Sequence, residues 1–180
     1  MKNLILILSM LVATSVSSAD HSEAVDVEVI ESYTDQLFQH QNIYIGPQPQ
    51  FEDFASIKSE GITAVINMRR PSEMDKLDFY EDYLLEKAGI KYYTLPIGGD
   101  EFKYTPAKLE QFAQYLEAND GKVLLHCGSG HRASQLWAAY LVKYKGKTPN
   151  QALEMVKDMG WWPMPMETLL NQKLSVTLVD

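Results

Sequence analysis

Residues 122–134 read KVLLHCGSGHRAS, and the fold turns on this stretch. Lys122 to His126 is an apolar run of strand length. Gly128, Ser129 and Gly130 are small, and from Arg132 the pattern becomes helical, with Leu136, Trp137 and Tyr140 on one side. Strand, glycine turn and helix in that order build an anion cradle. Small residues let successive backbone N–H groups point into one concavity, and the helix N-terminus adds partial positive charge. A cysteine at the mouth of such a cradle has its thiolate form favoured, which makes Cys127 the expected nucleophile. Arg132 offers an oxyanion a planar two-pronged contact. Gly128, Ser129, Gly130 and His131 supply the rest of the binding loop. A buried cysteine that merely packs is the alternative, but it needs neither the glycine turn, nor the arginine, nor the helix.

Working outward, the chain alternates regularly. Ile43-Tyr44-Ile45 is a short strand closed by Gly46-Pro47, and Phe51 to Glu60 is a helix ending at Gly61. Ile62 to Asn67 is a β-branched buried strand, followed by a helix over Glu73 to Ala88 that carries Leu77, Tyr80 and Leu84. Lys91 to Leu95 is the next strand, and Thr105-Pro106 opens a helix through Leu116. Beyond the loop, helices run from about Arg132 to Tyr144, from Thr148-Pro149 to near Gly160, and from about Met166. The pattern predicts an α/β fold: a mostly parallel, four- to five-stranded sheet with helices on both faces. Ligands of such sheets bind beyond the carboxyl ends of the strands. Three of those ends carry polar or reactive residues: Asn67-Met68-Arg69-Arg70, Gly98-Gly99-Asp100-Glu101 and His126-Cys127.

The 180 residues suit one domain after a leader. Met1-Lys2-Asn3, an apolar run from Leu4 to about Val16, and Ser17-Ser18-Ala19 form a secretory signal pattern with cleavage expected near Ala19. Residues 20–42 read as an acidic N-terminal arm with helical spacing of Val25, Val29, Tyr33 and Leu37, and residues 43–180 as the single domain. A periplasmic or secreted protein with no membrane attachment after cleavage is the expectation. The net charge of −8 argues against nucleic acid and anionic membranes as partners, since both need a basic patch. An acidic protein that binds an anion must do so through a local site. With one cysteine, the chain cannot staple itself by an internal disulfide.

HCGSGHR resembles the signature loop of cysteine-dependent protein tyrosine and dual-specificity phosphatases: His-Cys, five residues, Arg, then Ser or Thr. IYIGPQPQFEDFASIKSEGITAVINMRRPSE (43–73) and YYTLPIGGDEFKYTPAKLEQF (92–112) are similar to the bacterial beta-lactamase-hydrolase-like, phosphatase-like domain family. The resemblance spans Ile43 to Tyr144 and implies a protein-tyrosine-phosphatase-like fold. It also implies Cys127 as nucleophile, Asp100 as general acid and a loop-orienting role for His126. Two departures stand out. Only four residues, not five, separate Cys127 from Arg132, and Ala133 replaces the usual hydroxyl, with Ser134 one step late and Ser129 inside the loop. The shorter loop is similar to that of rhodanese-like sulfurtransferases.

Two reactions follow. As a phosphatase, Cys127 attacks phosphorus, Arg132 and the loop amides stabilise the transferring oxygens, and Asp100 protonates the leaving group. As a sulfurtransferase, Cys127 carries a persulfide and Arg132 binds an anionic donor. A non-catalytic module that binds phosphorylated ligands is the third reading. The phosphatase reading is preferred, and Asp100 discriminates it, with Glu101 as a substitute. Arg69 and Arg70 sit at a strand end on the same edge, where each is a candidate to bind substrate or to pair with the Glu73–Glu86 helix; Arg69 is assigned a supporting binding role. The expected partner is a small anionic or phosphorylated substrate. No cofactor is called for, and no metal, because His126, Cys127 and His131 fall short of a four-ligand set. Trp161 to Met166 is expected to pack the last helix onto the domain. Oligomeric state is undetermined by sequence.

Overall fold

The computed structural model describes residues 32–159 and 163–177. The expected signal peptide, the arm up to residue 31 and Trp161-Trp162 lie outside the described residues.

Five strands form one sheet: β1 (Phe38–His40), β2 (Ile43–Gly46), β3 (Ile62–Asn67), β4 (Lys91–Thr94) and β5 (Lys122–His126). Their order is β1-β2-β5-β3-β4, parallel except for β1, which pairs antiparallel with β2 at the edge. β5 therefore sits mid-sheet with both faces covered, which is why its sequence is a continuous apolar run. Val123 and Leu125 face one core, and Leu124 faces the other. β3 shows the same alternation with one slip. Its pairing with β5 shifts register between Ile62 and Ala64, so Ile62 joins Val65 on one face while Ala64 and Ile66 take the other.

Helices α4 (Pro106–Glu117), α5 (His131–Lys145), α6 (Pro149–Val156) and α7 (Pro163–Leu170) contribute to the larger core. Fully buried side chains such as Phe112 and Leu136 each contribute about 1.5–3 kcal/mol there. α1 (Phe54–Ser59) and α3 (Glu81–Ala88) cover the opposite face through Phe54, Ile57 and Leu85.

Three expectations need correction. The helix expected over 73–88 is interrupted. Pro71 opens a single turn, α2 (Pro71–Met74), and Tyr80 is extended (φ −100°, ψ 104°) before α3 begins. The stripe that α3 buries runs through Glu81 and Leu85, not Tyr80, which is exposed. Phe79 instead packs edge-on against Phe54 at 5.7 Å. A buried glutamate is invisible to hydrophobic periodicity, so the pattern was misread as one helix. Second, residues 33–40 belong to the fold. Tyr33–Gln36 forms a 3-10 turn, Tyr33 and Leu37 are buried, and β1 extends the sheet. Gly46 lies so close that a Cβ there would come within 2.1 Å of Leu37 Cδ2. Third, the last helix starts at Pro163 and not near Met166.

Candidate active site

The loop after β5 is braced on two sides. Met68 N–H donates to the His126 carbonyl (2.9 Å), Gln48 N–H to that of Gly128 (3.4 Å), and Ser129 forms a bridge with Pro47. Gly130 has φ +88°, and a Cβ there would press on Met159 Cε at 3.2 Å and on the Gly46 carbonyl at 3.4 Å. The turn thus needs glycine both for its dihedral and for the close approach. α5 starts directly after it, placing Arg132 in the first helical turn behind the loop. Cys127 is buried, while Gly128, Ser129 and His131 of the same loop are exposed.

Arg132 is held from three directions. Its Nη1 and Nη2 donate to Glu73 Oε2 (2.8 Å) and Oε1 (2.7 Å), and Nη1 also reaches the carbonyls of Met68 and Ile97, each at 3.2 Å. These contacts use one edge of the guanidinium. Its other flank lies toward the loop, with Nη2 3.5 Å from where a Gly128 Cβ would be. Burial alone would lower the Arg132 pKa, but Glu73 and the Cys127 side chain raise it instead. Glu73 is held well below the usual carboxylate range, chiefly by Arg132 and also by Arg70. A permanently charged, pre-aimed guanidinium beside a buried thiol is what binding a tetrahedral oxyanion requires.

His126 is fully buried. Its Nε2 lies 3.0 Å from Glu81 Oε1, an ion-pair distance without hydrogen-bond alignment, and Glu81 is equally sealed. The other Glu81 oxygen accepts from Asn67 Nδ2 (3.1 Å) and Tyr92 OH (3.2 Å). Burial pushes the Glu81 carboxyl up, yet His126 and the hydrogen bonds from Tyr92 and Gln48 bring it below its ordinary value. A polar network from α3, β3 and β4 therefore underlies the residue next to the nucleophile.

The remaining expected residues divide. Asp100 and Glu101 are exposed on a turn closed by pairing of Gly98 with Phe102. The base of that turn abuts Arg132: a Cβ at Gly98 (φ +103°) would lie 3.4 Å from Arg132 Cδ. Asp100 is thus on the loop's side of the sheet, and among the described residues it has no hydrogen-bond partner. Arg69 spends its guanidinium on Gln48 Oε1 (2.6 Å) and the Glu73 carbonyl (2.9 Å), a bracing arrangement. Ser134 is buried and donates to the His131 carbonyl (2.8 Å), and Ala133 is buried beside it. Glu81 and Gln48 went unrecognised in the sequence, as did the pairing of Glu73 with Arg132, whereas an arginine of the 69–70 pair against the helix starting at Glu73 was expected and Arg70 makes that contact. Only Glu73 left a signal, three residues after Arg70 at capping-box spacing. Among the described residues no group of three or more His, Cys, Asp or Glu is arranged to hold a metal.

Residues 43–175 match the dual specificity phosphatase, catalytic domain family. The chain belongs to that family. The beta-lactamase hydrolase-like protein of Xylella fastidiosa (strain Temecula1 / ATCC 700964) is 29% identical over 101 residues, which is 55% of this chain and 23% of that protein. Its counterpart in Agrobacterium fabrum (strain C58 / ATCC 33970) is 29% identical over 100 residues, 54% of this chain and again 23% of the relative. This dual specificity phosphatase-like chain therefore spans under a quarter of the length of the curated relatives it matches. Among solved structures, PTPMT1 superimposes with a TM-score of 0.62 at 23% identity, covering 75% of this chain and 92% of that one. The protein-tyrosine-phosphatase-like fold is thereby shown, and the family makes the chain phosphatase-like.

Proposed function

We propose that the protein is an exported cysteine-dependent phosphatase hydrolysing phosphomonoesters through a thiophosphoryl-cysteine intermediate. The observation carrying this reading is the fork between Glu73 and Arg132, which aims a guanidinium at the loop around Cys127. In the first step the Cys127 Sγ electron pair forms the S–P bond while the P–O ester bond breaks. The leaving oxygen takes a proton from the Asp100 carboxyl. Arg132 and the loop N–H groups hold the non-bridging oxygens as charge shifts among them. In the second step water attacks phosphorus, Asp100 takes up its proton, the S–P bond breaks, and phosphate leaves with the thiolate restored. His126, anchored by Glu81, fixes the strand end that carries Cys127. Gly128, Ser129, Gly130 and His131 form the binding loop.

The four-residue spacing between Cys127 and Arg132 favours a second reading, a sulfurtransferase carrying a persulfide on Cys127. Phosphate release from an aryl phosphate, measured with the purified protein and with Cys127→Ser, separates the two. Turnover abolished by the substitution supports the phosphatase. Binding of phosphate without turnover of any ester or sulfur donor would mark a non-catalytic module.

A further inference from the structure

Three arginines gather around Glu73. Arg69 donates to its backbone carbonyl, Arg132 takes both side-chain oxygens, and Arg70 Nε donates to Oε2 at 2.8 Å. Two guanidiniums, those of Arg70 and Arg132, thus share one carboxylate, while Arg69 is bound to the backbone carbonyl of the same residue. Arg69 and Arg132 are largely occupied by protein acceptors. Arg70 is not. Its side chain is 39% exposed, and among the described residues neither Nη atom has an acceptor.

The position of Arg70 is constrained. Its Nε and Arg132 Nη1 are each 2.8 Å from the same Glu73 oxygen, so the two nitrogens are no further apart than twice that distance. Its Nη1 rests against the turn that carries Asp100, 3.0 Å from where a Cβ on Gly99 would stand, and Gly99 (φ +78°) leaves the room. Glu73 thus clamps two guanidiniums at a fixed spacing. Arg132 faces the nucleophile loop, and Arg70 stands at the rim beside the leaving-group side.

We infer that Arg70 forms a second anion subsite, and that the preferred substrates carry a further anionic group within a few bonds of the scissile phosphoryl. That group is a second phosphoryl or a carboxylate, since a guanidinium fork pairs with either. The inference rests on the anion-binding reading of the Cys127 loop, and the test separates the two.

Binding of methylphosphonate, phosphonoacetate and methylenebisphosphonate to the Cys127→Ser protein is measured by calorimetry, so that no turnover is needed. The ratio of affinities, ligands with two anionic groups over the ligand with one, is the readout. The expected ratio is roughly tenfold or more, the size of one charge-assisted contact. Arg70→Gln should bring it close to one, and Arg70→Lys should retain part of it. Lys91→Gln, which removes the same charge at the start of β4, should leave the ratio intact. Phosphonoacetate and methylenebisphosphonate tell carboxylate from phosphoryl as the favoured second group. If methylphosphonate binds but the ratio is near one, or if Arg70→Gln leaves the ratio unchanged, the subsite is wrong while the loop reading stands. If none of the three binds, both fall.

Discussion

Glu73 and Arg132 meet through two parallel hydrogen bonds of 2.7 and 2.8 Å, although they belong to elements 59 positions apart in the chain. α2 follows β3, and α5 follows β5, its neighbour in the sheet, so the pair ties two adjacent strand ends together across the site. Arg132 could not hold one orientation through its own flexible side chain. Glu73, with the carbonyls of Met68 and Ile97, removes that freedom before any substrate arrives, which is preorganisation in the physical sense.

Glu73→Gln should therefore cost catalysis more than binding of the free protein's shape would suggest. kcat/KM for an aryl phosphate is expected to fall by on the order of 10²-fold, comparable to loss of one oxyanion donor. Stability should fall by about 2 kcal/mol, because Arg132 is left partly buried without its partner. Arg132→Lys should lose activity similarly, since an ammonium cannot span both the carboxylate and the oxyanion. Steady-state kinetics with chemical denaturation on the same samples checks both expectations.

The Glu81–His126 pair predicts a pH signature in stability. The Glu81 carboxyl is depressed in the folded protein, so its contribution is fully present above the unfolded carboxyl value of about 4.3 and is lost as pH falls through the lower folded value. The Glu73 carboxyl behaves in the same sense. Wild-type stability should thus decline steeply below about pH 4.3, and the gap between wild type and Glu81→Gln should narrow over that range. Glu81→Ala, which leaves Asn67 Nδ2 and Tyr92 OH without this shared acceptor beside a buried His126, should cost about 1–3 kcal/mol at neutral pH. Urea denaturation of the variants from pH 7 down to the acid transition measures this. A constant gap across that range would contradict the assignment.

Asp100 is exposed and, among the described residues, has no hydrogen-bond partner, which leaves its carboxyl available for the proposed proton transfer. Asp100→Asn should slow esters with poor leaving groups by about 10²–10⁴-fold while affecting an activated aryl ester far less. Binding of vanadate should persist. An equal effect on both ester types would take Asp100 out of proton transfer.

The loop was legible because its information is local: Cys127, Gly130 and Arg132 lie within one strand–turn–helix unit. The parallel core strands were legible for a similar reason, as buried runs such as Val123 to Leu125 announce themselves. β1 was not. Its partner β2 follows a two-residue turn, Gln41-Asn42, in which Gln41 takes φ 54°, and neither residue is the glycine that usually marks such a hairpin. The pairing of Glu73 with Arg132 was not legible because 59 positions separate them. Glu81 was not legible because its partner His126 lies on a distant strand and a carboxylate on a buried helix stripe does not register in hydrophobic periodicity. The interruption between α2 and α3 was hidden for the same reason.

The most direct test is the mass of the reduced protein after acid quench, taken in parallel from incubation with an aryl phosphate and with thiosulfate. Asp100→Asn is included to slow breakdown of the intermediate, and Cys127→Ser serves as control. The account predicts one added phosphoryl group on Cys127 from the ester, absent in Cys127→Ser, and no sulfur gained from thiosulfate. A single cyanide-labile sulfur on Cys127, with no phosphoryl adduct and no phosphate released, would contradict it and make the short loop that of a sulfurtransferase.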